Sequence, residues 1–205
     1  MREFPVCIQT KKLPHTSSNI RVNYPVVTQM NNHTVQQKIN HTIIHTLNKM
    51  LVDQYFYEDY LVELIAYYEI KTNERGVLSL NLIVYSDTGG AHGLTVIRSL
   101  TFDTKTGKNY ELSELFKPNS GYEKAINTII QQRIKDWDIQ LLDPPATEIR
   151  SNQDFYIADV TLVIYFQLYE ISPYASGFPF FPIPILDLAP YIQPGSPLET
   201  MMSFT

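Results

Sequence analysis

The sequence predicts an α+β fold: an antiparallel β-sheet meander with two amphipathic helices packed on it. Three observations predict it. Apolar residues recur every four positions from about Asn31 to Tyr57, and a second such stripe runs from about Gly121 to Trp137. Between them lie consecutive strand-like segments separated by turn residues. At 205 residues the chain is long enough for one domain with a substantial core, or for a domain plus a small lobe. No internal repeat and no convincing boundary divides it. The domain is expected over residues 20–191, after an N-terminal extension (1–19) and before a flexible C-terminal tail (192–205).

Ile20 to Val27 alternates apolar and polar residues before Pro25, which predicts an edge strand. The first helix follows, with Val35, Ile39, Ile43, Leu47 and Leu51 as its stripe, widened by Ile44 and Phe56. Three long strands are expected from Leu61 to Lys71, Val77 to Asp87 and Leu94 to Asp103. Asn73-Glu74-Arg75-Gly76 supplies the first turn and Thr88-Gly89-Gly90-Ala91-His92-Gly93 the second. Asp103 to Lys108 is a further turn, and Ser113-Glu114-Leu115-Phe116 a helical turn stopped by Pro118. The second helix presents Ala125, Ile126, Ile129, Ile130, Ile134 and Trp137 on its apolar face. After a link stiffened by Asp143-Pro144-Pro145 comes a hairpin around Ala158-Asp159. Its second strand, Leu162 to Phe166, is nearly continuously apolar and belongs at the centre of the sheet. Phe178 to Pro190 reads as an extended strand, and the last dozen residues as a loose tail.

Composition narrows the function classes. Hydrophobic residues make up 44% and charged residues 18%, so the chain is neither a disordered acidic segment nor a coiled coil. The net charge is −5 and no segment gathers lysine and arginine. A nucleic-acid partner is therefore not expected, nor an anionic membrane surface, whereas a basic protein partner is compatible. Cys7 is the only cysteine, which rules out an intramolecular disulfide and a thiolate metal cluster; a small, partly buried side chain is expected there. No run of 18 apolar residues predicts a membrane span. Met1 to Pro5 begins no signal peptide. The expected location is cytoplasmic or spore-associated if Met1 is the native start, and extracytoplasmic if a signal or anchor was trimmed.

Four constellations could carry chemistry. His92 lies near Asp87 and Thr88, but no nucleophile motif accompanies the pair. The tip glycines have a structural use, allowing positive φ and close approach of another chain. His41 and His45 stand four apart on the first helix, a zinc-pair spacing. Thr42, however, occupies the position where a metalloprotease needs glutamate, and both histidines lie off the apolar stripe. A solvated face is expected, and no metal or cofactor. Glu63, Glu69 and Asp87 fall on strands without any sign of a paired-carboxylate site. Finally, Tyr165, Tyr169, Tyr174, Phe178, Phe180 and Phe181 surround Pro173, Gly177 and Pro179. Rigid aromatics held by proline and glycine either make a low-entropy contact surface or fold back over the core.

Four motifs in order carry a family resemblance. They are Tyr85-Ser86-Asp87-Thr88-Gly89-Gly90-Ala91-His92-Gly93, Phe102-Asp103-Thr104-Lys105-Thr106-Gly107-Lys108, Leu112-Ser113-Glu114-Leu115-Phe116, and the stretch from Val163-Ile164-Tyr165-Phe166 to Gly177. Together they resemble the RsiV-type extracytoplasmic domain, which includes the sensor domain of the anti-sigma-V factor RsiV and the accessory domain of some peptidoglycan deacetylases. The resemblance spans about Ile20 to Tyr191. It implies an α+β domain of the Gram-positive envelope that, in the anti-sigma factor, binds lysozyme in its substrate cleft. Carried over, it nominates Thr88, Gly89, Gly90, Ala91, His92 and Gly93, with Pro173, Tyr174, Ala175, Ser176 and Gly177, as partner-contacting residues. Sigma regulation and deacetylation are not carried over, because only this one domain is matched.

The expected function is thus a non-enzymatic binding module of the cell envelope or spore, with lysozyme or a cell-wall glycan as partner. The alternative is a structural or assembly protein, such as a spore-layer component, that self-associates. A cell-wall hydrolase is a third and weaker expectation.

Overall fold

The computed structural model describes residues 5–143 and 146–202. The chain forms two compact units, Met1–Asn109 and Tyr110–Thr205, each with its own sheet. The α+β class holds, but the one sheet expected from the sequence is two, of five and three strands.

The first unit contains β1 (Cys7–Leu13), β2 (Ile20–Thr28), α1 (His33–Asp53), β3 (Glu63–Glu74), β4 (Val77–Asp87) and β5 (Leu94–Asp103), with the strands in sequence order across the sheet. Strands β3, β4 and β5 are the antiparallel meander that their tight turns require. Strand β2 departs from the expectation by pairing parallel to β3, Ile20–Val22 against Leu64–Ala66. Helix α1 supplies the long crossover that a parallel pair needs. Nor is β2 the edge. The segment expected to be an N-terminal extension provides β1, antiparallel to β2 along its whole length. Mostly exposed residues give β1 no apolar alternation to read.

Pro25 fits because β2 leaves β3 after Val22. Beyond that point the Asn40 amide of α1 replaces the missing strand, donating to the Val27 carbonyl and accepting from the Val27 N–H, both at 2.8 Å. The Asn32 side chain caps the start of α1 by accepting from Val35 N–H at 3.2 Å. Val35, Ile39, Ile43, Leu47 and Leu51 are all buried, as their spacing predicts, and pack with Leu64, Ala66, Leu80, Leu82, Val84, Leu100 and Phe102. Side chains alternate across a strand, so the other face of β4 and β5 carries Ser79, Asn81, Ser99 and Thr101. These pair across the strands, Ser79 with Thr101 at 2.9 Å and Ser99 with Asn81 at 2.7 Å. Cys7, expected to be partly buried, is exposed on the edge strand.

The second unit contains a 3₁₀ turn (Leu112–Leu115), α2 (Tyr122–Asp136), β6 (Phe155–Ala158), β7 (Thr161–Tyr165), β8 (Phe180–Pro184), a 3₁₀ stretch (Ile185–Tyr191) and α3 (Pro197–Met202). Its sheet is antiparallel, with the apolar strand β7 central as predicted. Helix α2 lies against β8 and buries Tyr122, Ile126, Ile130 and Ile134. Trp137, expected on that buried face, is the C-cap and stays 50% exposed. The extended segment expected over Phe178 to Pro190 is a strand for only five residues before it tightens.

Residues beyond 191 do not run loose where they are described. Gln193 N–H bonds Leu115 O at 2.9 Å, and Leu198 and Met201 of α3 are fully buried. Leu198 and Met201 sit three apart on one helix face, a short signal that the Pro194-Gly195-Ser196-Pro197 run masks in the sequence. Pro144 and Pro145 of the expected link lie outside the described residues, as do Met1 to Phe4 and the last three residues of the tail.

Candidate functional site

The glycine tip closes the β4–β5 hairpin, with Thr88 to His92 exposed and Gly93 buried. Gly89 has φ +83, and its N–H donates to Asp87 Oδ1 at 2.8 Å, which fixes the start of the turn. Gly93 is required by a close approach instead. A Cβ there would lie 2.4 Å from Tyr85 Cε2 and 2.5 Å from Cζ and the hydroxyl oxygen. Gly90 meets nothing within 4 Å, so its bare backbone faces open space. The His92 imidazole engages the Gly93 carbonyl, Nδ1 to O 2.9 Å, so His92 belongs to the turn's own architecture.

Beside the tip lies a surface that the sequence reading missed. Helix α1 ends in a Schellman reversal: Phe56 N–H bonds Leu51 O at 3.0 Å and Tyr55 N–H bonds Val52 O at 3.1 Å. Tyr55 takes the left-handed position at φ +65, where glycine is usual. Two tight turns then carry Tyr57 and Tyr60 outward before Val62 N–H bonds Asp87 O at 2.9 Å, at the base of the tip. Val62 Cγ2 lies 3.6 Å from where a Cβ on Gly89 would stand. Tyr55, Tyr57, Tyr60 and Val62 are 45%, 71%, 54% and 50% exposed. The Tyr55 and Tyr60 rings pack at 5.8 Å.

The same loop is acidic. Residues 51–70 hold no lysine, arginine or histidine, while Asp53, Glu58, Asp59 and Glu63 flank the tyrosines. Among the described residues only Glu63 of these four has an ion pair, with Arg21 Nη2 at 4.0 Å. The Tyr60 phenol is held above its ordinary pKa by local desolvation, then by Glu58 and Tyr55. The signal that could have found this surface is the cation-free run of alternating tyrosines and acids at the end of α1.

In the second unit the segment Pro173 to Gly177 forms a 3₁₀ turn over Tyr174–Ser176, closed by Gly177 N–H to Tyr174 O at 3.0 Å. Both readings of its aromatics hold, for different residues. Tyr165 and Phe181 are fully buried in the core. Tyr169, 49% exposed, pairs with Tyr174 at 5.5 Å, and Phe178 and Phe180 line a cleft of ≈ 610 Å³ with Trp137. Of the five nominated residues, Ser176 lines that cleft.

His41 and His45 stack almost parallel at 6.2 Å on the exposed side of α1, the solvated face their spacing predicts. Among the described residues no group of three metal-ligating side chains comes together, and no helix is long and apolar enough to cross a membrane.

Similarity to known proteins follows the same division. Residues 14–95, which hold the tyrosine loop and the tip, match the family described as Deacetylase PdaC. Residues 113–185, which hold the 173–177 turn and the cleft, match the family described as a protein of unknown function, DUF3298. Two solved structures share the fold. One is a DUF3298 family protein from Pseudomonas aeruginosa PAO1, 16% identical, with TM-score 0.68 over 93% of this chain and 95% of that one. The other is a DUF3298 family member from Bacteroides fragilis NCTC 9343, 15% identical, with TM-score 0.69 over 100% and 98%. No curated protein matches this chain.

Proposed function

We propose that this protein is a non-enzymatic binding module of the bacterial cell envelope. Its partner is a basic protein of the lysozyme kind; the alternative is a peptidoglycan-related ligand. The reading takes its setting, the Gram-positive envelope or spore, from the RsiV-type resemblance, and the match to the deacetylase PdaC family supports a cell-wall context. The observation that carries the reading is the juxtaposition of the bare tip at Gly90 with the acidic loop of Tyr55, Tyr57 and Tyr60. Tyrosine supplies contact area at small entropic cost. Uncompensated carboxylates attract a basic surface and speed encounter.

Calorimetric titration with hen lysozyme at low and moderate salt tests it. One-to-one binding is expected, weaker at the higher salt. Tyr57→Ala with Tyr60→Ala should weaken it at least tenfold, about 1.4 kcal/mol, without loss of fold. The absence of heat at both salts, or wild-type affinity in the double variant, would reject this surface. His92→Ala and Tyr174→Ala examine the two nominated segments in the same assay.

A further inference from the structure

The cleft of the second unit is built around Trp137, the only tryptophan in the chain. Its position is set before any ligand arrives. Helix α2 ends in a Schellman reversal, Ile139 N–H to Ile134 O at 3.0 Å and Asp138 N–H to Lys135 O at 3.3 Å, with Asp138 in the left-handed region at φ +50. Phe181 stacks on the indole at 6.0 Å and 7°. The Arg133 guanidinium lies 5.5 Å from the indole centroid and donates to the Pro182 carbonyl, which ties the helix end to β8. An exposed aromatic held this firmly costs little entropy when it is used for contact.

The other walls mix ring and polar chemistry. Phe178 and Phe180 face the cleft together with Gln140, Ser172 and Ser176. The volume, ≈ 610 Å³, lies inside the roughly 300–1,000 Å³ of small-ligand sites. Ser172 is fully buried, and among the described residues its hydroxyl has no hydrogen-bond partner. The lining itself contains Asp138 and neither lysine nor arginine, with Arg133 set beside the indole, so the walls offer an anionic ligand no direct cation.

Aromatic faces beside hydroxyl and amide groups suit a pyranose ring. Its C–H face lies on an aromatic plane, while its equatorial hydroxyls radiate towards polar side chains. We infer that this cleft is a saccharide-binding site that takes one or two neutral pyranose units of an oligosaccharide. The site shares no residue with the tip and tyrosine loop proposed to meet a protein partner.

Trp137 is its own reporter. The full-length chain is titrated with N,N′,N″-triacetylchitotriose, and separately with cellotriose, while tryptophan emission is followed and the heat measured. A saturable emission change with the acetylated sugar is expected. Phe178→Ala and Gln140→Ala, each checked by circular dichroism, should each weaken it at least tenfold. Equal binding of cellotriose would assign recognition to the ring itself, and preference for the acetylated sugar to its acetamide groups; both support the site. No saturable change with either sugar overturns the inference, as does binding that neither variant weakens. Lysozyme is absent from these titrations, so failure here leaves the protein-docking proposal untouched.

Discussion

Adding one methyl group to Gly93 should destabilise the first unit by about 1–3 kcal/mol, the usual cost of overpacking. The new Cβ would sit 2.4 Å from Tyr85 Cε2, whereas carbon atoms rest at about 3.5–4.0 Å, so the ring must retreat by about 1 Å or more. It cannot retreat with its backbone. Tyr85 lies within β4, paired to Ile65 on one side and Thr95 on the other, with buried Val84 and Ser86 as neighbours. The side chain must instead leave its rotamer, costing about 0.5–1.5 kcal/mol, and lose packing as well. Urea unfolding of Gly93→Ala, followed by far-ultraviolet circular dichroism, should show a lower midpoint at unchanged slope. The decisive comparison is a double-mutant cycle with Tyr85→Ala. In that background the methyl has room, and its cost should fall below about 0.5 kcal/mol. An equal cost in both backgrounds would refute the reasoning and leave the Tyr85 contact without a role. The result also bears on function: Gly93 would then be fold-determining, and a binding defect in Gly93→Ala would not mark a contact.

Other outcomes follow from the same geometry. Gly90→Ala should leave stability within about 0.5 kcal/mol, because nothing lies within 4 Å of the new Cβ; reduced affinity for lysozyme in calorimetry would then identify a true contact. Tyr55→Gly should raise stability by roughly 1 kcal/mol in urea unfolding by relieving the left-handed backbone, while weakening lysozyme binding through loss of the ring. Asn40→Ala should cost roughly 1–3 kcal/mol, since it leaves the Val27 N–H and carbonyl unpaired; a denaturation midpoint equal to wild type would show that water replaces the amide. The Tyr122 phenol is pushed up to about 12, chiefly by burial and then by Glu123, from an ordinary value of 10.0. Its protonated form is the one favoured by folding, so its stabilising contribution is intact below pH 10 and is lost as pH rises towards 12. Tyr122→Phe should therefore flatten the fall in stability across that window, which chemical denaturation at stepped pH would reveal.

How much of the molecule was legible depended on whether a signal was local. The stripe of α1 could be read from periodicity because one face of it is buried, and the strands from Val77 to Asp87 and Leu94 to Asp103 from the turns that bound them, because neighbours in sequence are there neighbours in space. The glycine tip was legible for the same reason, since Gly89 answers to backbone geometry. What lay between remote segments was not. The edge strand Cys7–Leu13 is held by pairing with β2 and has almost no buried side of its own. The parallel register of β2 on β3 depends on where α1 returns the chain. Trp137 read as core by spacing, yet the reversal at Asp138 leaves it half exposed on a cleft.

The sequence by itself therefore determined the α+β class, the two long helices, the hairpins and the candidate tip, because those follow from short-range sterics and from the local pattern of apolar and turn residues. Only the tertiary structure decided that there are two sheets, that the tip shares its surface with the tyrosine loop, and that Trp137 and Phe178 flank one cleft. Each of those joins residues separated by tens of positions, and no local preference specifies which distant surfaces meet.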